Sequence, residues 1–156
     1  MKKFLIILLS IFLVSCSTHT QINNEPQDTS KTKDTNTKVE ETMKLYINDE
    51  EIPVIWEDND SINEMQNELK NNDIVVDMSM YSNNEQVGCL NKTYISHDKR
   101  MTTSNGDIVL YSSNQIVVFY APNTWEYTKL GKIDLTSEKV TQLLSNGDVT
   151  ITITCA

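Results

Sequence analysis

"GDIVLYSSNQIVVFYAPNTW", residues 106–125, is the stretch on which the fold turns. Two apolar runs, 107–111 and 115–120, flank the polar turn Ser112-Ser113-Asn114 and lead through a proline-containing loop to Trp125. β-Branched and aromatic residues on either side of a short polar turn predict paired strands. The pattern is compatible with two roles: a hairpin that fills a small core, or one wall of a binding site rimmed by the tryptophan.

Working outward, the periodicity is mostly two. "MKLYI" alternates Met43, Leu45 and Ile47, "IPVIW" alternates Ile52, Val54 and Trp56, and Asn48-Asp49-Glu50 turns between them. "DIVVDMSMY" places Ile74, Val76, Met78 and Met80 on one face and sends Asp77, Ser79 and Tyr81 to the other. A further strand is predicted near residues 129–133. "DVTITITC" closes the chain with Val149, Ile151, Ile153 and Cys155 inward and three threonines outward. Two segments switch to a helical period. In "SINEMQNELK", Ile62, Met65 and Leu69 share a face, Ser61 and Glu64 form the pattern of a capping box, and Asn71-Asn72 end it. In "TSEKVTQLL", Thr136 caps, Val140, Leu143 and Leu144 face inward, and Asn146-Gly147 terminate. Between strands, residues 82–106 form a long polar stretch broken only by a short apolar run at 87–90. Connections of that length without structure of their own are uncommon and often functional. The fold class expected is mainly β: a β-barrel with two covering helices.

Upstream of residue 42 the composition is different. Lys2 and Lys3 precede an apolar run, residues 4–14, interrupted only by Ser10. It is too short to cross a bilayer core of about 30 Å as a helix and has the length of a signal-peptide core. Leu13-Val14-Ser15-Cys16 resembles the lipobox of bacterial lipoproteins. That resemblance implies cleavage before Cys16 and acylation of Cys16, with palmitate among the chains. Each buried acyl CH₂ contributes about 0.8 kcal/mol, so several chains anchor where one does not. Residues 17–41 offer only Ile22 and Val39 as sizeable apolar side chains, too few to offset the entropy of ordering the segment. As a coil this tether spans roughly 25–30 Å. The organisation expected is a lipoprotein signal peptide at 1–15, the lipidated Cys16 and flexible tether at 16–41, and one domain at 42–156. The domain would then lie outside the cytoplasm, held to the cell envelope by the lipid on Cys16.

The formal net charge is −9, and the loss of Lys2 and Lys3 with the signal brings it to −11. That balance argues against nucleic acid as a partner, whose phosphates require lysine and arginine. It argues equally against a basic patch for anionic head groups. Cys155 falls on the inward face of a strand and reads as a core residue rather than as a bridge to Cys89.

The order of elements and several motifs resemble the cyclophilin-like fold, and within it a bacterial branch of small cyclophilin-like domains. "LYINDEEIPVIWEDN" (45–59), "MSMYSNNEQVG" (78–88), "TTSNGDIVLY" (102–111), "NQIVVFY" (114–120) and "WEYTKLGKID" (125–134) carry the match across nearly the whole domain. In cyclophilins the corresponding hairpin helps to build a hydrophobic cleft for a proline-containing peptide. The resemblance puts Gln115 and Trp125 at that cleft, and implies a peptide or small molecule as the ligand. Catalytic cyclophilins also carry an arginine on a barrel strand, which bonds to a peptide whose isomerisation barrier is about 18–20 kcal/mol. The comparable run here, Asp77-Met78-Ser79-Met80-Tyr81, has none; Arg100, the only arginine, falls in the polar stretch, and no histidine follows Trp125. The expectation is a binding module without isomerase catalysis. The alternative is an envelope prolyl isomerase with a non-standard donor such as Gln86.

The candidate ligand cleft comprises Tyr81, Glu85, Gln86, Thr102, Thr103, Gln115, Trp125 and Tyr127, a mixture of aromatic and hydrogen-bonding side chains. For Trp125 and Tyr127, core packing is an equal alternative. No catalytic set is assigned. His97, between Ser96 and Asp98, has a nucleophile beside it in sequence only, which does not make a triad. Glu57, Asp58, Asp60 and Glu64 lack the glycine and spacing of a calcium loop and suit the N-terminus of a helix. No metal is expected, and with no CxxC, P-loop or dinucleotide glycine motif no cofactor is expected either.

Overall fold

The computed structural model describes residues 42–156, so the expected signal, lipid site and tether lie outside the described residues. The order of elements is β1 (Met43–Ile47), β2 (Glu50–Ile52), β3 (Val54–Trp56), α1 (Asp60–Leu69), β4 (Ile74–Tyr81), β5 (Glu85–Cys89), β6 (Lys99–Thr102), β7 (Asp107–Tyr111), β8 (Gln115–Phe119), β9 (Thr124–Ile133), α2 (Ser137–Leu144) and β10 (Val149–Cys155). The antiparallel sheet runs β2-β1-β10-β4-β5-β8-β7-β9-β3, with β6 added beside β9. Its two ends, β2 and β3, are halves of one run split at Pro53. The first half pairs with β1 and the second with β9, so this single run brings the sheet round into a nearly closed barrel. A proline lacks the donor a ladder needs, and here it sits where the run changes partners. The architecture is the mainly β barrel with two helices that the periodicity predicts.

Three hairpins turn on pairs of residues at positive φ: Asn48-Asp49, Ser82-Asn83 and Ser112-Ser113. In the first the pair is the whole loop, and in the other two Asn84 and Asn114 extend the loop to three residues; turns of that hand match the twist of the flanking strands. The barrel core takes the alternating residues of β1, β4 and β10, together with Ile62, Met65 and Leu69 of α1 and Val140 and Leu144 of α2. Thr136 caps α2 as predicted. The cap of α1 is a correction. Asn59 holds that position, accepting from Ile62 N at 3.1 Å while its amide donates to Lys129 O at 2.8 Å. Ser61 and Glu64 instead grip the neighbouring loop: the Ser61 hydroxyl donates to Ile95 O at 2.5 Å, and Glu64 accepts from Ile95 N at 2.8 Å. Asparagine is as good a cap as serine, and its position two residues earlier frees the other pair for that contact.

The long polar stretch is also more ordered than its composition indicates. It contains β5 and β6, and the loop between them is strapped to α1. Tyr94 is buried and donates to Glu68 at 2.7 Å, and Lys92 pairs with Glu68 at 2.9 Å. Lys92 also stands 4.6 Å over the Tyr94 ring. Burial and the Glu68 carboxylate push the Tyr94 hydroxyl well above the usual phenol range.

Strands β7 and β8 explain the opening stretch. Ile108, Leu110, Ile116 and Val118 point into the barrel core. Val109, Val117 and Phe119 point the other way and form a second apolar cluster with Tyr127 on the outside of the barrel. A strand buried on both faces has no polar alternation, hence the unbroken "IVL" and "IVVF". β9 serves both clusters through a bulge. Its register against β7 shifts between Ile108, opposite Gly131, and Val109, opposite Lys129. The extra residue lets Tyr127 face the outer cluster while Leu130 and Ile133 face the core.

Candidate functional site: a groove on the outer face of the barrel

The outer cluster is the floor of a cavity of about 490 Å³. Val87 on β5 is half-buried in it, and Val117 on β8 and Tyr127 on β9 are buried. Tyr127 is wedged edge-on against Phe119 and Tyr111, with ring centroids 5.5 and 5.8 Å away. Trp125 and Tyr81 form the rim and are 53% and 64% exposed. Antiparallel register sets the two ends. Glu85 pairs with Phe119 and Cys89 with Gln115, so Glu85 and Asn123 close one end, Gln115 and Tyr111 the other.

Glu85 is the unusual member. It is only 7% exposed, and its Oε2 has no hydrogen-bond partner. Burial pushes its carboxyl above the ordinary glutamate range, against the opposing pull of the Asn123 amide. The Tyr127 hydroxyl is raised for a related reason: it is buried, and the Glu85 charge lies nearby. Asn123 donates from Nδ2 to the Tyr127 hydroxyl at 3.0 Å, which fixes both at the Glu85 end.

Of the eight residues expected at the cleft, the structure brings together Tyr81, Glu85, Gln115, Trp125 and Tyr127. The other three belong elsewhere. Gln86 is fully buried on the opposite face of β5, where its amide donates to Leu144 O and Gly147 O, both at 2.7 Å, and ties down the end of α2. Neighbours on a strand face opposite ways, so Glu85 and Gln86 cannot share one cleft. Thr103 is buried too, exchanging hydrogen bonds with the backbone of Asn123 at 3.0 and 3.1 Å. It positions a groove residue without lining the groove. Thr102 meets Thr124 hydroxyl to hydroxyl at 2.8 Å on the surface. Sequence reasoning missed Val87, Tyr111, Val117 and Asn123. The first three share strand parity with Glu85 and Gln115 and were within reach of that argument. Asn123 follows a proline in a loop, and no periodicity marks it.

The model of the cyclophilin-like family matches residues 45–154. The chain belongs to the cyclophilin-like family. No curated protein and no solved structure matches it.

In this cyclophilin-like domain Arg100 lies on β6, opposite Glu126 of β9. The next residue, Met101, packs on the outer cluster, so Arg100 points away from it. β4 offers the outer face Asp77, Ser79 and Tyr81. Asp77 accepts from the Thr150 hydroxyl at 3.0 Å, leaving Tyr81 as its contribution to the groove. His97 lies 2.9 Å from Asp60 on the surface, while the Ser96 hydroxyl is engaged with Ser113. Among the described residues no group of three or more acidic, histidine or cysteine side chains has the arrangement of a metal site. Cys89 ends β5 and Cys155 ends β10, with no disulfide between them.

Proposed function

We propose that this chain is a lipid-anchored, extracytoplasmic cyclophilin-like domain whose outer groove binds a peptide or small ligand without catalysing isomerisation. The observation that carries the reading is the groove itself: an exposed tryptophan over a buried valine and tyrosine floor, with a buried carboxylate at one end. Pockets that hold small ligands pair an apolar lining with a few placed polar groups. The arginine that the family resemblance associates with catalysis has no counterpart on β4, which supports binding over turnover. The lipid anchor rests on the sequence "LVSC" and its spacing from Lys2 and Lys3.

Trp125 is half out in solvent, so Trp125→Ala should change unfolding stability by no more than about 0.5 kcal/mol. It should nevertheless weaken the binding of proline-containing peptides by tenfold or more. Loss of stability in step with binding makes Trp125 a packing residue and removes the basis for the groove. Catalysis by the folded protein on a panel of Xaa-Pro peptides replaces the reading with that of an envelope isomerase. For the anchor, Cys16→Ser should abolish palmitate labelling and release the protein from membranes. Retention of both by the variant sinks that part of the proposal.

A further inference from the structure

Glu85 poses a problem that the fold leaves unsolved. A carboxylate removed from water is stable only when paired or bonded, and lone acids in such sites tend to take up a proton. Glu85 is more than nine-tenths buried, its Oε2 is without a hydrogen bond, and it lines the groove. No lysine, arginine or histidine lines that groove with it. Four aromatic side chains line the same groove, Tyr81, Trp125 and Tyr127, with Tyr111 at the far end. Each ring face carries partial negative charge, so the walls and the acid favour the same kind of guest. The net charge of the whole chain, −9, draws that guest in from a distance.

We infer that the groove is a receptor for an organic cation, an ammonium or guanidinium group that bonds to Glu85 Oε2 and rests against the faces of the surrounding rings. The chemistry is shared by a lysine or arginine side chain on a peptide and by a free amine. A neutral donor can bond to the Glu85 oxygen, but only a cation also compensates its charge and gains from the negative ring faces. Asn123 offers Glu85 a neutral amide contact that only partly offsets its burial, and Oε2 is left for the guest. The inference deepens the binding function proposed above and rests on it.

The full-length protein in non-ionic detergent is titrated with three probes while tryptophan fluorescence is followed. These are N-acetyl-Lys-Pro-amide, its norleucine analogue, which lacks the ammonium group, and butylammonium. A charge-assisted hydrogen bond with cation–π contact predicts at least about tenfold tighter binding of the lysine probe than of the norleucine one. Glu85→Gln, which keeps shape and removes charge, should cancel that difference. The wild-type comparison stands without the variant. Butylammonium as tight as the peptide assigns the free amine as the source; butylammonium much weaker assigns a peptide side chain. Either result upholds the cation. Lysine and norleucine probes binding alike overturns the inference and leaves a ligand groove. Binding of none of the three at millimolar concentration overturns both readings.

Discussion

Glu85 and Gln86 are neighbours with opposite assignments, and they show how much one step along a strand decides. Gln86 turns into the barrel and satisfies two carbonyls at the end of α2. Glu85 turns out to the groove; each of the two keeps one oxygen without a partner, but only Glu85 can ionise. That has a consequence for stability. The folded carboxyl of Glu85 titrates above its value in the unfolded chain because burial penalises the charged form. Between the two values the folded state holds a proton that the unfolded state has released, so stability falls as pH rises through that window. The groups facing Glu85 are the hydroxyls of Tyr120 and Tyr127, whose own titration is pushed upward, and the neutral amide of Asn123. Denaturant unfolding across pH 4 to 8 should therefore show Glu85→Gln gaining on the wild type, from the ordinary glutamate range upward, until the raised value is passed. A pH-independent difference means that the carboxyl is not perturbed. A residue that lowers stability where it stands, at one end of a cavity, is expected of a functional site.

At the scale of elements, the decisive feature is the seam where β3 meets β9. Gly131 lies opposite Trp56 there, and a Cβ on it would meet Ile55 O at 2.9 Å, Trp56 Cε3 at 3.1 Å and Val54 Cγ1 at 3.2 Å. All three obstacles belong to the closing strand β3, and the nearest is a backbone carbonyl. Gly131→Ala should therefore cost about 1–3 kcal/mol, the usual penalty for overpacking, measured by chemical denaturation. No change shows that the seam gives way freely. The same strand carries the bulge at Leu130, which allows one ten-residue element to supply Tyr127 to the groove and Ile133 to the core. The alternation of β1, β4 and β10, and the cap of α2 at Thr136, are local patterns and legible along the chain. The bulge is not, because "YTKLGKI" has the same composition whether or not its register slips.

For the whole molecule, closure depends on strands remote in sequence. β10 lies between β1 and β4, and its Val149, Ile151 and Ile153 are buried in the shared core. Burying each such side chain contributes about 1.5–3 kcal/mol, which for three is comparable to the 5–15 kcal/mol that stabilises a typical domain. Deleting residues 149–156 also strips the ladder from both neighbours. The truncated protein should show no cooperative thermal transition by circular dichroism; a sharp transition would mean that the barrel closes without its last strand. The sequence by itself determined the class of fold, most of the barrel-core face and the family, since period-two alternation, caps and turn residues are properties of short segments. Five of the nine groove residues were read from it, because they fall on outward strand positions or beside the hairpin. Only the tertiary structure decided that β7 and β8 are buried on both faces, that Gln86 belongs to the core, and that Asn123 joins Glu85 at one end of a groove. A strand's sequence tells which residues share a side; what that side meets depends on register, bulges and partners far along the chain.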